Sequence, residues 1–223
     1  ASHKPKGIMD RGFTARPSPV LESLSEDYTG IAASGGFFPL IGRTIEMEQI
    51  LRILRETGSG ILLVGSAGVG KTTIFEGLAQ LMASEDVPRE LQDKRLIVLD
   101  PGALVANAAG VGTLEGRIHE ILKEILLAGN IILGIEDIHH LLNMRSTQGS
   151  ADASSILMNA ISQGTVKVIA TTTTREYQEF IEPHETFVRR FQVVRVPELN
   201  RNDAILVLEA RSSIFEGKYK VFF

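Results

Sequence analysis

The sequence predicts an α/β fold, a five-stranded parallel sheet with helices on both faces. Five short and largely apolar runs recur along the chain, at Ile61–Val64, Leu96–Leu99, Ile131–Ile135, Val166–Ala170 and Gln192–Val196. Such runs are typical of strands that are buried on both faces, as in a parallel sheet. The segments between the runs have helical periodicity. A length of 223 residues suits one domain of this class with appendages.

The intervening helices have end signals as well as periodicity. Thr44 can cap a helix with the apolar spacing i, i+3, i+4, i+7, formed by Met47, Ile50, Leu51 and Leu54. A long helix through Leu114, Ile118, Ile121, Leu122 and Ile125 ends near Gly129. Thr173 and Glu176 form a capping box before a short helix, and Asn202–Arg211 begins the last one.

Composition excludes several classes of protein. Hydrophobic residues make up 43% and charged residues 22%, which are globular proportions. The net charge of −4 argues against a nucleic-acid partner. The chain has no cysteine, which excludes disulfides, zinc–thiolate sites and cysteine nucleophiles. The longest apolar runs are far shorter than a membrane span, so we expect no membrane partner. The lack of cysteine is compatible with a reducing compartment, and we expect a cytoplasmic location.

Residues 1–20 differ from the rest of the chain. They contain three prolines and no periodicity, and their charged residues are Lys4, Lys6, Asp10, Arg11 and Arg16. We expect a flexible basic leader that lies outside the fold. Because the chain begins at Ala1 rather than Met, we also expect a processed or excised piece.

A phosphate-binding motif follows the first predicted strand. Gly65–Thr72 reads GSAGVGKT and matches G-x-x-x-x-G-K-[ST] between a strand and a helix. Glycines let the backbone N–H groups converge on phosphate oxygens, Lys71 neutralises phosphate charge, and the Thr72 hydroxyl can bind Mg²⁺. A glycine-rich turn with a surface lysine is the alternative, and the strand–loop–helix context argues against it. We expect ATP or ADP with Mg²⁺ at Gly65, Ser66, Ala67, Gly68, Val69, Gly70, Lys71, Thr72 and Thr73.

Two adjacent acids follow the third predicted strand. Glu136 and Asp137 lie where a carboxylate can hold the Mg²⁺ of a phosphate-loop protein. An acidic helix cap is the structural alternative for this pair. Asp100 is a rival acid, but it stands alone before Pro101 and suits a turn. We therefore expect Glu136 to bind the metal.

Further segments resemble one family in their order as well as their residues. They are FPLIGR at Phe38–Arg43, FEGLAQ at Phe75–Gln80, DVP at Asp86–Pro88, LDPGAL at Leu99–Leu104, EY at Glu176–Tyr177 and RRFQ at Arg189–Gln192. These resemble the DPVIGR, VEGLAQ, GDVP, LDMGAL, DEYR and ERRFQ motifs of the Clp-type AAA+ unfoldases (the ClpA, ClpB and ClpC group). The resemblance covers roughly residues 21–215 and is to their first nucleotide-binding module.

The resemblance implies a P-loop NTPase fold of the AAA+ type and an ATPase that is coupled to protein unfolding. Residues 21–199 would form the large α/β subdomain, and 200–223 the truncated start of a helical small subdomain. Leu40 and Ile41 match residues that hold adenine. The resemblance also implies a ring of six subunits, with protein clients or a protease as partners.

Catalytic roles carry over from the same resemblance. Asp137 matches the general base, Thr172 the sensor threonine near the γ-phosphate, and Arg189 and Arg190 the arginine fingers that reach a neighbouring subunit. His139 also matches a family histidine, although we expect His139 and its neighbour His140 to be structural.

Three departures from the family pattern affect these expectations. The family has Asp-Glu where this chain has Glu136-Asp137, so the base is shorter by about 1.5 Å. Misplacement by about 1 Å can cost roughly a hundredfold in rate, which predicts slow hydrolysis. The aromatic residue of the pore loop aligns with Gly110, which predicts weak or absent threading. The chain ends at Phe223, so the second sensor arginine is not located.

These departures leave two functions open. The first is an ATP-driven unfolding or remodelling module, favoured by the complete phosphate loop and the paired arginines. The second is a nucleotide-binding assembly or regulatory module with little hydrolysis, favoured by the inverted acids and the missing aromatic residue. A nucleic-acid motor is a third reading, which the Clp motifs and the acidic balance argue against.

Overall fold

The computed structural model describes residues 17–56, 59–106, 114–143 and 153–219. Its strands are β1 (Ser25–Asp27), β2 (Gly60–Val64), β3 (Arg95–Leu99), β4 (Ile131–Ile135), β5 (Lys167–Thr172) and β6 (Phe191–Arg195). They form one sheet in the order β1-β3-β4-β5-β2-β6. Strands β2 to β6 pair with one another in parallel, which confirms the predicted parallel α/β sheet.

The prediction of five strands was wrong by one. Strand β1 is antiparallel to β3 and pairs Ser25 with Leu99 and Asp27 with Ile97. It is three residues long, reads Ser-Glu-Asp and lies at the edge of the sheet. A short polar edge strand has no hydrophobic pattern, so periodicity could not reveal it.

The helices alternate with the strands as predicted. They are α1 (Pro19–Glu22), α2 (Tyr28–Ala33), α3 (Thr44–Arg55), α4 (Lys71–Ala83), α5 (Arg89–Gln92), α6 (Pro101–Ala106), α7 (Leu114–Ala128), α8 (His139–Asn143), α9 (Ala153–Ser162), α10 (Thr174–Glu176), α11 (Glu185–Val188) and α12 (Arg201–Tyr219). A π-helical turn, Tyr177–Ile181, follows α10 directly. Within the described ranges, no helix has the length and apolar character that crossing a membrane requires.

Helices cover both faces of the sheet. Alternate side chains of β4, at Ile131, Leu133 and Ile135, belong to a core that α7 and α9 share. Between them, Ile132 belongs to a second core formed with α3 and α4. Successive strand residues face opposite sides of a sheet, so each face buries its own layer of apolar side chains. The phosphate loop therefore leads into a helix that is packed on the second core.

Helix ends support one capping prediction and contradict another. Thr173 is the N-cap of α10, and its hydroxyl oxygen accepts from the Glu176 N–H at 3.2 Å, as predicted. Thr44, however, is the first residue of α3, and Arg43 is at the N-cap position without a side-chain capping bond. The buried side chain of Arg43 makes long-range contacts instead, and these fix the chain at the start of α3.

The last residues of the predicted flexible leader belong to the fold, which corrects its boundary at residue 20. Pro19 and Val20 lie in α1, and Ser18 is buried. The N–H groups of Val20 and Leu21 donate to the Glu124 carboxylate on α7 at 3.2 and 2.9 Å. This carboxylate accepts from free N–H groups at the amino end of α1, where an anion is stabilised.

Candidate functional site

The phosphate loop connects β2 to α4 and depends on its glycines. Gly68 and Gly70 have φ of +75° and +99°, a left-handed conformation that side chains disfavour. A Cβ on Gly65 would lie 2.5 Å from the Val196 carbonyl oxygen, so only glycine fits beside the end of β6. The loop is therefore held as a compact turn at the amino end of a 13-residue helix, where anions are stabilised.

Lys71 lies folded over this loop. Its Nζ donates to the carbonyl oxygens of Gly65 at 3.0 Å and Ser66 at 2.9 Å, and the residue is only 9% exposed. Burial lowers the pKa of Lys71, and the charges of Asp137, Glu176 and Glu136 act in the opposite direction. The structure thus brings the predicted lysine within electrostatic reach of both predicted acids.

The two acids follow β4 at the same edge of the sheet. Glu136 Oε1 is buried and accepts no hydrogen bond from the described part of the chain. Asp137 has φ of +45°, and its N–H donates to Thr171 Oγ1 at 3.0 Å. The next N–H, of Ile138, donates to the Thr171 carbonyl oxygen at 3.0 Å. These bonds tie the acids to the carboxyl end of β5.

The donor set fits Mg²⁺. The ion prefers oxygen ligands and is usually held by one or two carboxylates together with phosphates and water. The buried Glu136 oxygen and the hydroxyl of Thr72, an exposed residue, supply such ligands. Across the described ranges, no group of three or more His, Asp or Glu residues could form a metal site on its own. A magnesium ion here would therefore share its coordination with a bound nucleotide.

Thr172 is the last residue of β5 and is fully buried. It pairs in register with Val64, directly before the phosphate loop, and its carbonyl oxygen accepts from the Gly65 N–H at 3.4 Å. The predicted sensor threonine thus ends the strand next to the one that leads into the phosphate loop.

His139 connects Thr172 to α10. Its Nδ1 lies 3.4 Å from Thr172 Oγ1, and its Nε2 lies 3.8 Å from Glu176 Oε1. Burial lowers the pKa of His139, and Glu176 opposes this shift. His140 is its ring neighbour, with centroids 4.3 Å apart. His139 is buried, as expected of a structural residue. It also contacts the predicted sensor threonine, and the sequence gives no sign of that contact.

A cleft of about 170 Å³ lies beside the loop. Leu40 and Ile41 line it together with Gly68, Val69, Gly70 and Thr73, so the structure brings these predicted residues together. Helix α12 closes the other side with Val207, Ala210 and Arg211, which the sequence reasoning missed. The only signal for them is their spacing of three and four residues along a helix.

Arg43 ends the FPLIGR motif, but the sequence offers no prediction for its side chain. Its guanidinium donates to Val69 O at 2.7 Å, Pro197 O at 2.7 Å and Glu46 Oε1 at 3.0 Å. The residue is 4% exposed. It therefore joins the phosphate loop, the segment after β6 and α3 at a buried position. A single arginine before a helix gives no sign of this role in the sequence.

Arg189 and Arg190 lie just before β6, at the amino ends of the parallel strands, whereas the phosphate loop lies at their carboxyl ends. Both are exposed, and Arg189 Nη2 lies 3.0 Å from Glu185 Oε2. The Arg190 carbonyl oxygen accepts from the N–H of Gly60, at the beginning of β2. The phosphate loop begins at Gly65, at the other end of that strand. The strand is five residues long, and at about 3.3 Å per residue its two ends are about 16 Å apart. The structure does not bring these arginines to their own phosphate loop.

A parallel sheet with a phosphate loop, an acid pair and a threonine at one edge defines a P-loop nucleotide-binding protein. The chain belongs to the AAA family, described as "ATPase family associated with various cellular activities", whose sequence profile matches residues 61–198. The predicted ATPase class is thereby confirmed.

Individual relatives place the resemblance in the Clp branch, as predicted. The chain is 38% identical over 205 residues to the chaperone protein ClpB of Oceanobacillus iheyensis and, equally, to the negative regulator of genetic competence ClpC/MecB of Bacillus subtilis. Each match covers 92% of this chain and 25% of the relative, so the chain spans about a quarter of their length. Among solved structures, the Hsp104–ADP complex of S. cerevisiae superposes with a TM-score of 0.81 at 36% identity, over 91% of this chain and 28% of that one.

The predicted pore-loop position, Gly110, lies outside the residues that the structure describes.

Proposed function

We propose that this chain binds ATP and ADP with Mg²⁺ at Gly65–Thr73 and hydrolyses ATP, as the first nucleotide-binding module of a Clp-like ring. The observation that carries the proposal is the position of Lys71, which is buried over the loop and close enough to the acids that follow β4 for their charges to act on its pKa. Phosphate oxygens can replace the Gly65 and Ser66 carbonyl oxygens as acceptors for Nζ. The lysine then neutralises phosphate charge while the loop amides bind the oxygens.

The remaining residues divide the chemistry among them. Thr72 and Glu136 would hold Mg²⁺, which supplies charge neutralisation to the phosphates. Asp137 would orient the attacking water and accept its proton, and Thr172 would contact the γ-phosphate side. Leu40 and Ile41 would contact the base in the cleft. Arg189 and Arg190 would complete the site of a neighbouring subunit, because about 16 Å of sheet separates them from their own loop.

Relatives support a role in protein remodelling. One is named a chaperone protein, another an ATP-dependent Clp protease ATP-binding subunit, and an Hsp104 structure is a casein complex. We infer from them a hexameric ring that acts on protein clients or with a protease, in the cytoplasm. These partners stay predictions for this chain, which spans about a quarter of each curated relative.

A module that binds nucleotide but hydrolyses little is the second candidate. The observation that favours it is Asp137, a short acid at the position of the base, whose backbone has φ of +45°. Its carboxylate has less reach than a glutamate, and its backbone is held by Thr171. Hydrolysis would then be slow even with nucleotide and metal in place.

Calorimetry tests binding, and kinetics separates the two candidates. We expect the purified chain to bind ATP and ADP in the presence of Mg²⁺, Lys71→Ala to bind far more weakly, and the exposed-site control Lys123→Ala to bind normally. Absence of binding by the wild type would overturn the proposal.

A steady-state ATPase rate per subunit that rises with protein concentration supports the hydrolytic module, because arginine fingers in trans require assembly. A negligible rate at every concentration favours the binding module.

A further inference from the structure

The mouth of the cleft is bounded by an aromatic ring and a guanidinium group from opposite sides. Arg211 Cζ, on α12, lies 5.8 Å from the centroid of the Phe38 ring. This distance is within the range in which a cation is attracted to the face of an aromatic ring. Phe38 is 45% exposed and Arg211 is exposed, so the pair lies at the solvent-facing side of the cleft. Both residues line the cleft with Gly68 and Thr73.

The segment that carries Phe38 is fixed to α4. Gln80 Nε2 donates to the carbonyl oxygens of Phe37 at 3.1 Å and Phe38 at 3.0 Å. Leu40 packs so closely on Gly77 that a Cβ there would lie 2.5 Å from Leu40 Cδ2. The backbone beside the Phe38 ring is therefore held by the helix that follows the phosphate loop.

The same segment contacts α12. Gly42 has φ of +70°, and a Cβ on it would lie 2.7 Å from the Asp203 side chain. Asp203, Val207, Ala210 and Arg211 are spaced at i, i+4, i+7 and i+8, so they share one helix face. That face meets the segment at Gly42 and the cleft at Arg211. The guanidinium charge also reaches α4, because Arg211 opposes the rise that burial gives the pKa of Glu76.

We infer that Phe38 and Arg211 form a closing pair over the cleft and set how long a purine nucleotide stays bound. The inference rests on the proposed nucleotide binding. A base in the cleft is trapped behind the pair, and the cation beside Gly68 and Thr73 attracts the polyphosphate. Release requires Arg211 to leave the Phe38 ring. The similar Clp motif DPVIGR has an aspartate at the Phe38 position, which offers a cation no aromatic face.

Stopped-flow release of a fluorescent N-methylanthraniloyl ADP, chased with unlabelled ADP, tests the pair. We expect Arg211→Ala and Phe38→Leu each to release the nucleotide about fivefold faster than the wild type, the size that a surface cation–π contact of about 1 kcal/mol predicts. The double variant should release it no faster than the faster single variant, because one contact is lost in all three. Arg211→Lys keeps the charge without the planar group and should have an intermediate rate. Arg201→Ala, at the exposed start of α12, is the matched control and should release at the wild-type rate.

The outcomes separate this inference from the proposed function. Failure of the wild type to bind the probe would overturn the proposed function, and the closing pair with it. If the wild type binds and either Arg211→Ala or Phe38→Leu releases at the wild-type rate, the closing pair alone is overturned. Additive effects in the double variant would also overturn it, because they would mean that the two side chains act independently.

Discussion

Arg43 donates a hydrogen bond of 2.7 Å to the carbonyl oxygen of Val69, so a buried side chain from outside the phosphate loop holds that loop in place. Its partner Glu46 is also buried, and the two form an ion pair of 3.0 Å. Removing one member of such a pair leaves the other charge buried without compensation.

We therefore expect Arg43→Met to lower the free energy of unfolding by about 3–5 kcal/mol. The double variant Arg43→Met with Glu46→Gln should recover part of this loss, because no isolated charge remains. Urea unfolding of the three proteins measures both effects. Both variants should bind nucleotide more weakly than the wild type, because the Val69 carbonyl oxygen has lost its donor in each of them. Equal stabilities of the single and double variants would contradict the ion-pair argument.

Lengthening the second acid should raise the rate of hydrolysis. Asp137→Glu lengthens the side chain by one carbon–carbon bond, which gives its carboxylate the reach of the family's general base. We expect single-turnover ATP hydrolysis to increase by up to about a hundredfold, the cost of a misplacement of about 1 Å. ATP affinity should change little, and Glu136→Asp serves as the matched change at the other acid. An unchanged or lower rate in Asp137→Glu would show that distance is not what limits the reaction.

Acidification should destabilise the fold through His139. Burial lowers its pKa below 6.5, so the unfolded chain binds the proton more readily than the folded one. Stability is therefore lost as the pH falls from about 6.5 toward the folded pKa, and the loss ends below it. Among its neighbours, Glu176 and Asp137 act to raise this pKa, and His140 acts to lower it.

The measurement compares urea unfolding at pH 7.5 and 5.5. The decrease in unfolding free energy should be smaller in His139→Asn than in the wild type. His140→Asn, on the exposed neighbour, should keep most of the wild-type decrease, because burial is the main cause of the lowered His139 pKa. An identical decrease in all three proteins would exclude His139 as its source.

Of the two arginines, Arg190 should matter more for hydrolysis. Arg189 has an ion-pair partner in Glu185, whereas Arg190 forms no side-chain ion pair with the described residues. We expect Arg190→Ala to reduce the rate per subunit by about a thousandfold, as removal of an arginine finger does, with a smaller loss in Arg189→Ala. Nucleotide affinity should be retained in both, and Arg52→Ala is a surface control.

Mixing tests whether Arg190 acts in trans. Arg190→Ala and Asp137→Asn should each be inactive alone, and a mixture should recover activity at interfaces where an intact acid faces an intact arginine. A mixture as inactive as its components would mean that Arg190 acts within its own subunit or only supports the fold.

The sequence predicted the parts of the fold that have a hydrophobic pattern or a glycine requirement. The five parallel strands and the loop from Gly65 to Thr72 follow from such local signals. Strand β1 was missed because Ser-Glu-Asp has no apolar residue. The contacts of Arg43 and Arg211 were missed for a different reason. Their partners lie 26 and 173 positions away, at Val69 and Phe38, and only the folded chain brings them together.

Strand β1 also determines how the sheet meets solvent. It pairs along the outer side of β3, whose residues are almost all apolar, and it presents Glu26 to water. Asp27 holds it there through an ion pair of 2.9 Å with Arg95. A chain that lacked residues 1–27 would leave unpaired the amide and carbonyl groups on the β1 side of β3, and such an open edge is a template for strand addition by another molecule. Such a shortened protein would be prone to aggregate while its nucleotide site remained complete in sequence, and insolubility rather than lost chemistry would be its first defect.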